Sequence, residues 1–234
     1  MKRKDIIFEI LFLTFVYVLY IEPFHGLKNC RCCSQAEILP YLEYHEIVRQ
    51  LSYTEFPIER PVLSGFILTP KAKITDILSE YASYGREPLM SERLKKMIEN
   101  EFLTSPCQFY PVQFAKKMQI YDYYFMHLLD VAEPLIDFQA SQFCVRKFSD
   151  KIRDIEVSSL QDLKKKQREV FEEDVAYMIR PERLCFTQNF NYDLFKIPFG
   201  IGMYISERLK ERLVDQDITG IKIDPLKFEM LVNQ

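Results

Sequence analysis

Apolar and polar positions are patterned most regularly near the C-terminus. Met203-Tyr204-Ile205 is an apolar run of strand length, entered through Gly200 and Gly202. From Ile205 the apolar spacing changes to every fourth residue, through Leu209 and Leu213, which places all three on one helical face. The switch predicts a helix beginning at Ser206, whose hydroxyl can accept a free amide of the first turn. Glu207 adds negative charge at the positive end of that helix. Gly220 then closes a turn that asks for a residue free to take positive φ. Ile221 and Ile223 alternate with Lys222 as in a half-buried strand, and Pro225 ends it. The stretch 199–225 therefore reads strand, helix, turn, strand.

The same pattern occurs earlier. Pro88 to Ile98 aligns without a gap on Met203 to Leu213, and S-E-R-L-K is shared between Ser91–Lys95 and Ser206–Lys210. Leu94 and Ile98 fall where Leu209 and Leu213 fall. The echo reads either as a common helix start used twice or as two related strand-to-helix units. Its spacing is too long for a solenoid repeat.

Elsewhere the periodicity predicts a helix within 38–53 after Pro40, and an extended segment at 56–61 between two prolines. Val62–Leu68 reads as a strand. Lys73–Tyr84 reads as an amphipathic helix with Ile74, Ile77, Leu78 and Tyr81 on one face, capped near Gly85. Leu103–Pro111 reads as a turn region, and Tyr121–Val131 as a strand. Asp137-Phe138-Gln139-Ala140-Ser141 reads as a tight turn, with the Asp and Ser side chains satisfying local amides. Phe143–Phe148 is a further strand, Ser158–Tyr177 contains a helix, and Leu184–Phe195 is strand or loop. The fold class is α+β, with a mixed, mostly antiparallel sheet and amphipathic helices. Residues 1–35 form an apolar N-terminal segment and a Cys-rich loop; 36–234 form a single α+β domain.

Composition narrows the picture. The chain has 234 residues, 48% hydrophobic and 28% charged, enough to bury a real core. Six glycines and no G-x-G-x-x-G or P-loop pattern argue against a phosphate cradle. A net charge of −3 gives no basic field for nucleic acid. The Lys164-Lys165-Lys166-Gln167-Arg168 run has no aromatics interleaved and reads as a solvated helix face.

Residues 6–21 follow a basic head and are apolar except for Glu9 and Thr14. Two readings stand: a buried strand or strand pair, or a membrane anchor. The chain is accordingly expected in the cytoplasm or, on the second reading, held at the inner membrane by this segment. Cys30, Cys32 and Cys33 form C-x-C-C, a poor match to zinc spacing, and Cys107, Cys144 and Cys185 stand alone among apolar residues. His25, His45 and His127 are far apart, and His127 reads as a core histidine. Asp130, Glu133 and Asp137 are carboxylates that could gather in space or simply cap a turn. No catalytic triad, metal set or cofactor motif emerges, so no cofactor and no enzymatic activity is expected.

Three blocks in order carry a resemblance. They are Y-Y-F-M-H-L-L-D-V-A-E-P-L-I-D-F-Q-A-S at Tyr123–Ser141, F-K-I-P-F-G-I-G-M-Y-I-S-E-R-L-K at Phe195–Lys210, and D-I-T-G-I-K-I at Asp217–Ile223. Over roughly the C-terminal half, the chain resembles the predicted immunity proteins of bacterial polymorphic toxin systems, in particular immunity families forty-three and eleven, the latter long known only as a domain of unknown function. The resemblance implies a protein that binds and blocks a cognate toxin domain, with no cofactor. It matches Asp137, Ser141, Ser206 and Gly220, which with Ser91 read as structural residues. Glu172, Glu173 and Asp174 form an acidic cluster, the candidate partner contact. An accessory protein anchored by residues 6–21, or an enzyme, is the alternative.

Overall fold

The computed structural model describes residues 8–11, 51, 54–61, 63, 66–67, 73–78, 88–116, 119–199, 202–226 and 228–233. In chain order, the short strands β1 (Phe8–Leu11), β2 (Phe66–Ile67), β3 (Ile77–Leu78) and β4 (Leu89–Ser91) lead into helix α1 (Glu92–Glu101). Then come β5 (Cys107–Lys116), β6 (Gln119–Leu128), a 3-10 turn at Glu133–Leu135, β7 (Ile136–Lys147), β8 (Asp150–Ile155) and α2 (Leu160–Glu173). The chain closes with β9 (Tyr177–Phe186), β10 (Leu194–Phe195), β11 (Met203–Ile205), α3 (Glu207–Asp215), β12 (Lys222–Pro225) and β13 (Glu229–Val232). Among the described residues these make three sheets, ordered β10-β11-β1-β12, β13-β9-β7-β8 and β2-β5-β6-β4-β3. Pairing is antiparallel except at β2–β5 and β9–β13. The fold is α+β with mostly antiparallel sheets.

The sequence echo has a geometric counterpart. In β3–β4, Ile77 faces Met90 and Leu78 faces Leu89; in β10–β11, Leu194 faces Ile205 and Phe195 faces Tyr204. With Ser91 superposed on Ser206, the two hairpins have the same register. Each second strand has a further antiparallel neighbour, β6 beside β4 and β1 beside β11. β1 is thus flanked by β11 and β12. Among the described residues no helix is long and apolar enough to cross a membrane. The rest of the 6–21 segment, the cysteines at 30, 32 and 33 and most of the helix expected within 38–53 lie outside the described residues.

The two units share a core. Leu94, Met97 and Ile98 of α1 and Leu209 and Leu213 of α3 pack in one apolar cluster with Ile77, Met90, Met126, Leu194 and Ile205. A second cluster lies under α2, where Leu163 and Val170 meet Phe143, Val145 and Ile179. The edge-on rings of Phe186 and Phe195 continue that cluster toward Tyr204, which stacks on Phe195. A third cluster, around Tyr110, Tyr123 and Phe125, joins β5, β6 and β4 to Leu51 and Leu63.

Several expectations are corrected. Ile77 and Leu78 are strand, not one face of a helix: both side chains are buried, against β4 and the two cores. Cys107–Pro111 belongs to a ten-residue strand and is not a turn. Asp137–Ser141 is no turn between strands either: β7 runs through it, and the local amide bonds sit in a bulge where the register against β9 jumps from Asp137–Cys185 to Gln142–Arg183.

Candidate functional site

The conspicuous serines mark two polar brackets of one design. Ser91 is the N-cap of α1, and its hydroxyl accepts from the Leu94 amide at 3.3 Å. The same hydroxyl donates to Asp76 Oδ1 at 2.9 Å. Arg93 grips that carboxylate through Nε at 3.1 Å and Nη2 at 2.6 Å. In the second bracket the Ser206 hydroxyl accepts from the Leu209 amide at 3.2 Å and donates to Asp193 Oδ1 at 2.7 Å. Arg208 holds Asp193 through both Nε and Nη2. Ser91 and Ser206 also donate their backbone amides to the Asp76 and Asp193 carbonyls at 2.7 and 2.9 Å.

The brackets are crossed. The Asp76 carboxylate accepts the amide and hydroxyl of Thr219, just beyond α3, and Arg93 Nη1 donates to the carbonyl of Gln216, the C-cap of α3. Reciprocally, Asp193 accepts the Leu103 amide just beyond α1, and Arg208 Nη1 donates to the Glu101 carbonyl in the last turn of α1. Each unit thus supplies donors to the carbonyl end of the other unit's helix, a favourable place for a cation. The backbone repeats the exchange: the Ile77 amide meets the Thr219 carbonyl at 3.1 Å, and the Asp193 and Leu194 amides meet the Leu103 carbonyl. Arg212 adds an ion pair to Glu101, and the Arg208 guanidinium lies over the Phe102 ring.

The aspartate side chains are only 11% and 10% exposed, whereas the arginines are more than half exposed. Burial pushes the Asp76 carboxyl up, but Arg93, the Thr219 amide and the Ser91 and Thr219 hydroxyls outweigh it and hold the pKa at about 2. Burial likewise raises the Asp193 carboxyl, and Arg208, Ser206 and the Leu103 amide bring it below the ordinary value. A depressed carboxyl stabilises the fold above its unfolded pKa of 3.8 and loses that contribution as the pH falls toward 2. Asp76 alone then accounts for about 2 kcal/mol. Urea titrations at pH 5 and pH 2.5 are expected to show about two thirds of this loss from Asp76, because its folded-state carboxyl is still largely ionised at pH 2.5, with Asp193 adding to it in the same direction; equal stability at the two pH values would mean that the bracket is not formed.

The other matched residues are also structural. Asp137 Oδ1 accepts the Gln139 and Ala140 amides, and its Oδ2 accepts Asn233 Nδ2 at 2.7 Å. The Ser141 hydroxyl donates to the Asp137 carbonyl at 2.6 Å and accepts the Cys185 amide at 3.0 Å, so it closes the bulge against β9. Gly220 has φ +88°, as its turn requires. Of the acidic cluster, Glu173 is gripped by Arg153, and Asp174 by Lys147 at 2.6 Å. Glu172 is exposed and makes no ion pair among the described residues.

The remaining candidates for chemistry do not converge. His127 is fully buried in β6, with Tyr110 Oη 3.3 Å from its Nδ1 and Phe56 edge-on to its ring. Asp137 lies in the β7–β9 sheet, and Cys144 and Cys185 are buried there, with burial pushing both thiols up. A groove of about 410 Å³ between α1 and the start of β5 is lined by Lys95, Glu99, Cys107 and Gln108. Its Lys95 ammonium lies over the Phe109 and Tyr124 rings and pairs with Glu99. Among the described residues no three His, Cys, Asp or Glu side chains gather as metal ligands would.

Sequence reading found the serines and missed the aspartates they serve. The signal was present: D-I-L at Asp76–Leu78 and D-L-F at Asp193–Phe195 precede the two S-E-R-L-K blocks. Comparison with known proteins adds no relative: no family model and no curated protein matches this chain.

Proposed function

We propose that this protein is a non-enzymatic binding protein that neutralises a cognate bacterial toxin domain by covering it in a one-to-one complex in the cytoplasm. The reading starts from the resemblance of the three C-terminal blocks to the immunity families. What supports it is how the motif residues are employed. Asp76, Asp137, Asp193, Ser91, Ser141 and Ser206 are all turned inward, each meeting two or more internal hydrogen-bond partners. They build a stiff frame and leave recognition to the surface around it. A frame that barely moves on binding loses little conformational entropy, which favours tight, durable blocking.

The test is co-expression with the toxin domain encoded beside this chain. Growth is expected to be restored, with inhibition of the purified toxin complete at an equimolar ratio and a one-to-one complex on size-exclusion chromatography. Full inhibition at a small fraction of an equivalent would indicate turnover, and the reading would fall. So would the absence of both rescue and complex.

A further inference from the structure

One end of the α2 sheet carries apolar side chains that the fold does not use. The turn between β7 and β8 and the turn between α2 and β9 lie side by side there. Lys147, the last residue of β7, faces Asp150 on one neighbour and Tyr177 on the other, and its ammonium reaches Asp174 at 2.6 Å. Phe148 follows in the first turn and Val175 in the second. Phe171 sits in the last turn of α2, and Met178 is the second residue of β9. Phe148 is 86% exposed and Val175 75%, with Phe171 and Met178 about half exposed.

Phe148 is the informative residue. Its φ is +56°, in the left-handed region. That conformation costs a residue with a bulky side chain about 1 kcal/mol or more, and Gly, Asn or Asp would hold it more cheaply. Its ring also gains almost nothing from burial in the folded chain. Local conformation and packing both disfavour phenylalanine at this position, so its use lies outside the fold. Aromatic anchors surrounded by smaller apolar groups are the usual centre of a protein–protein contact.

The charges around the knob suggest what it meets. Arg153 and Lys147 are engaged by Glu173 and Asp174. Among the described residues, Asp150 and Glu172 make no ion pair. Phe148 and Val175 therefore stand exposed in neighbouring turns, with two unpaired carboxylates, Asp150 and Glu172, on the elements beside them. We infer that this end of the sheet is the contact surface for a protein that presents an apolar pocket with Lys or Arg at its rim, Phe148 entering the pocket. On the function proposed above, on which this inference rests, that protein is the toxin domain.

The experiment titrates the full-length chain and its variants with the toxin domain encoded beside it. Phe148→Asn keeps a residue that tolerates the left-handed turn, so its melting temperature should stay within about 2 °C of the parent while affinity falls at least roughly 30-fold. The paired change Asp150→Asn with Glu172→Gln should slow association several-fold at low salt and have little effect at high salt. Val214→Ser, at an exposed apolar position on α3, should leave affinity within about threefold. If the parent binds and Phe148→Asn binds within threefold of it, the surface is wrongly assigned and the neutralising function stands. Equal losses in Phe148→Asn and Val214→Ser would also overturn the assignment. If the parent does not bind, the neutralising function fails, and this surface with it.

Discussion

Gly220→Ala is expected to cost about 4 kcal/mol, enough to leave much of a marginally stable domain unfolded. Two costs add. The backbone at Gly220 has φ +88°, where an L-residue is strained by about 1 kcal/mol or more. A methyl group there would also lie 2.2 Å from the Ile77 carbonyl oxygen and 2.7 Å from Thr75 Oγ1. Neither neighbour can yield freely. Ile77 is pinned by pairing with Met90, Thr75 Oγ1 donates to that same Ile77 carbonyl at 2.6 Å, and the Thr75 carbonyl takes the Tyr123 hydroxyl. Relief would require the loop beyond α3 to move away from β3, which would break the bonds from Thr219 to Asp76. Chemical denaturation with a tryptophan-free readout such as far-UV circular dichroism suits this chain, which has no Trp. A loss below about 1 kcal/mol would show that the loop does not approach β3 so closely.

Asp76→Ala is the second large effect, at about 3–4 kcal/mol. The carboxylate accepts hydrogen bonds from Ser91, Arg93 and Thr219, and three of these five bonds come from groups outside Arg93. Bonds to a charged acceptor contribute about 1.5–3 kcal/mol each, and part of that is recovered because Arg93 is half exposed and can turn to water. The Thr219 amide and the Ser91 hydroxyl have no such escape. Asp193→Ala should be milder, about 3 kcal/mol, because its loop partner offers one amide where Thr219 offers an amide and a hydroxyl. Removing only the cap hydroxyl, in Ser91→Ala, should cost about 1 kcal/mol. Urea midpoints of the three variants test the ranking; Ser91→Ala as damaging as Asp76→Ala would place the energy in the cap and not in the bracket.

What could be read from the chain alone follows interaction range. The S-E-R-L-K blocks were legible because a cap, a first-turn charge and a helical apolar face all lie within ten residues, and the helices start where expected. The aspartates were not, because each lies 15 or 13 residues upstream of its serine, across a hairpin. Asp76 was hidden in a segment whose Ile74, Ile77, Leu78 and Tyr81 spacing imitates a helix. Its identity as strand is set by pairing with β4 and by Thr219, which no window over residues 73–84 contains. β5 was masked by Pro106 and Pro111. Among the described residues its second edge is paired only at Phe114 and Ala115, so Pro111 sits on an open stretch where a missing amide is tolerated. At Asp137–Ser141 the local bonding was read correctly and its setting was not, because an amide-satisfying Asp serves a bulge as well as it serves a turn. Phe148 reads in the sequence as the last residue of a strand, whereas β7 ends at Lys147 and Phe148 lies in the turn, since nothing in the sequence tells a strained exposed phenylalanine from a buried one.

The crossed brackets also set a timetable for the chain as it leaves the ribosome. Asp76 meets Thr219 over a separation of 143 residues, and Asp193 meets Leu103 over 90. At a synthesis rate of roughly 5–20 residues per second, Asp76 waits about 7–30 s for its partner. Until residue 208 has been made, α1 lacks the guanidinium that will sit at its carbonyl end, and Met90 of β4 lacks the Leu194, Ile205, Leu209 and Leu213 side chains that complete its cluster. The N-terminal unit therefore stays incomplete until residue 219 has been made, and a chain cut short before that point leaves the Asp76 carboxylate without the Thr219 amide and hydroxyl.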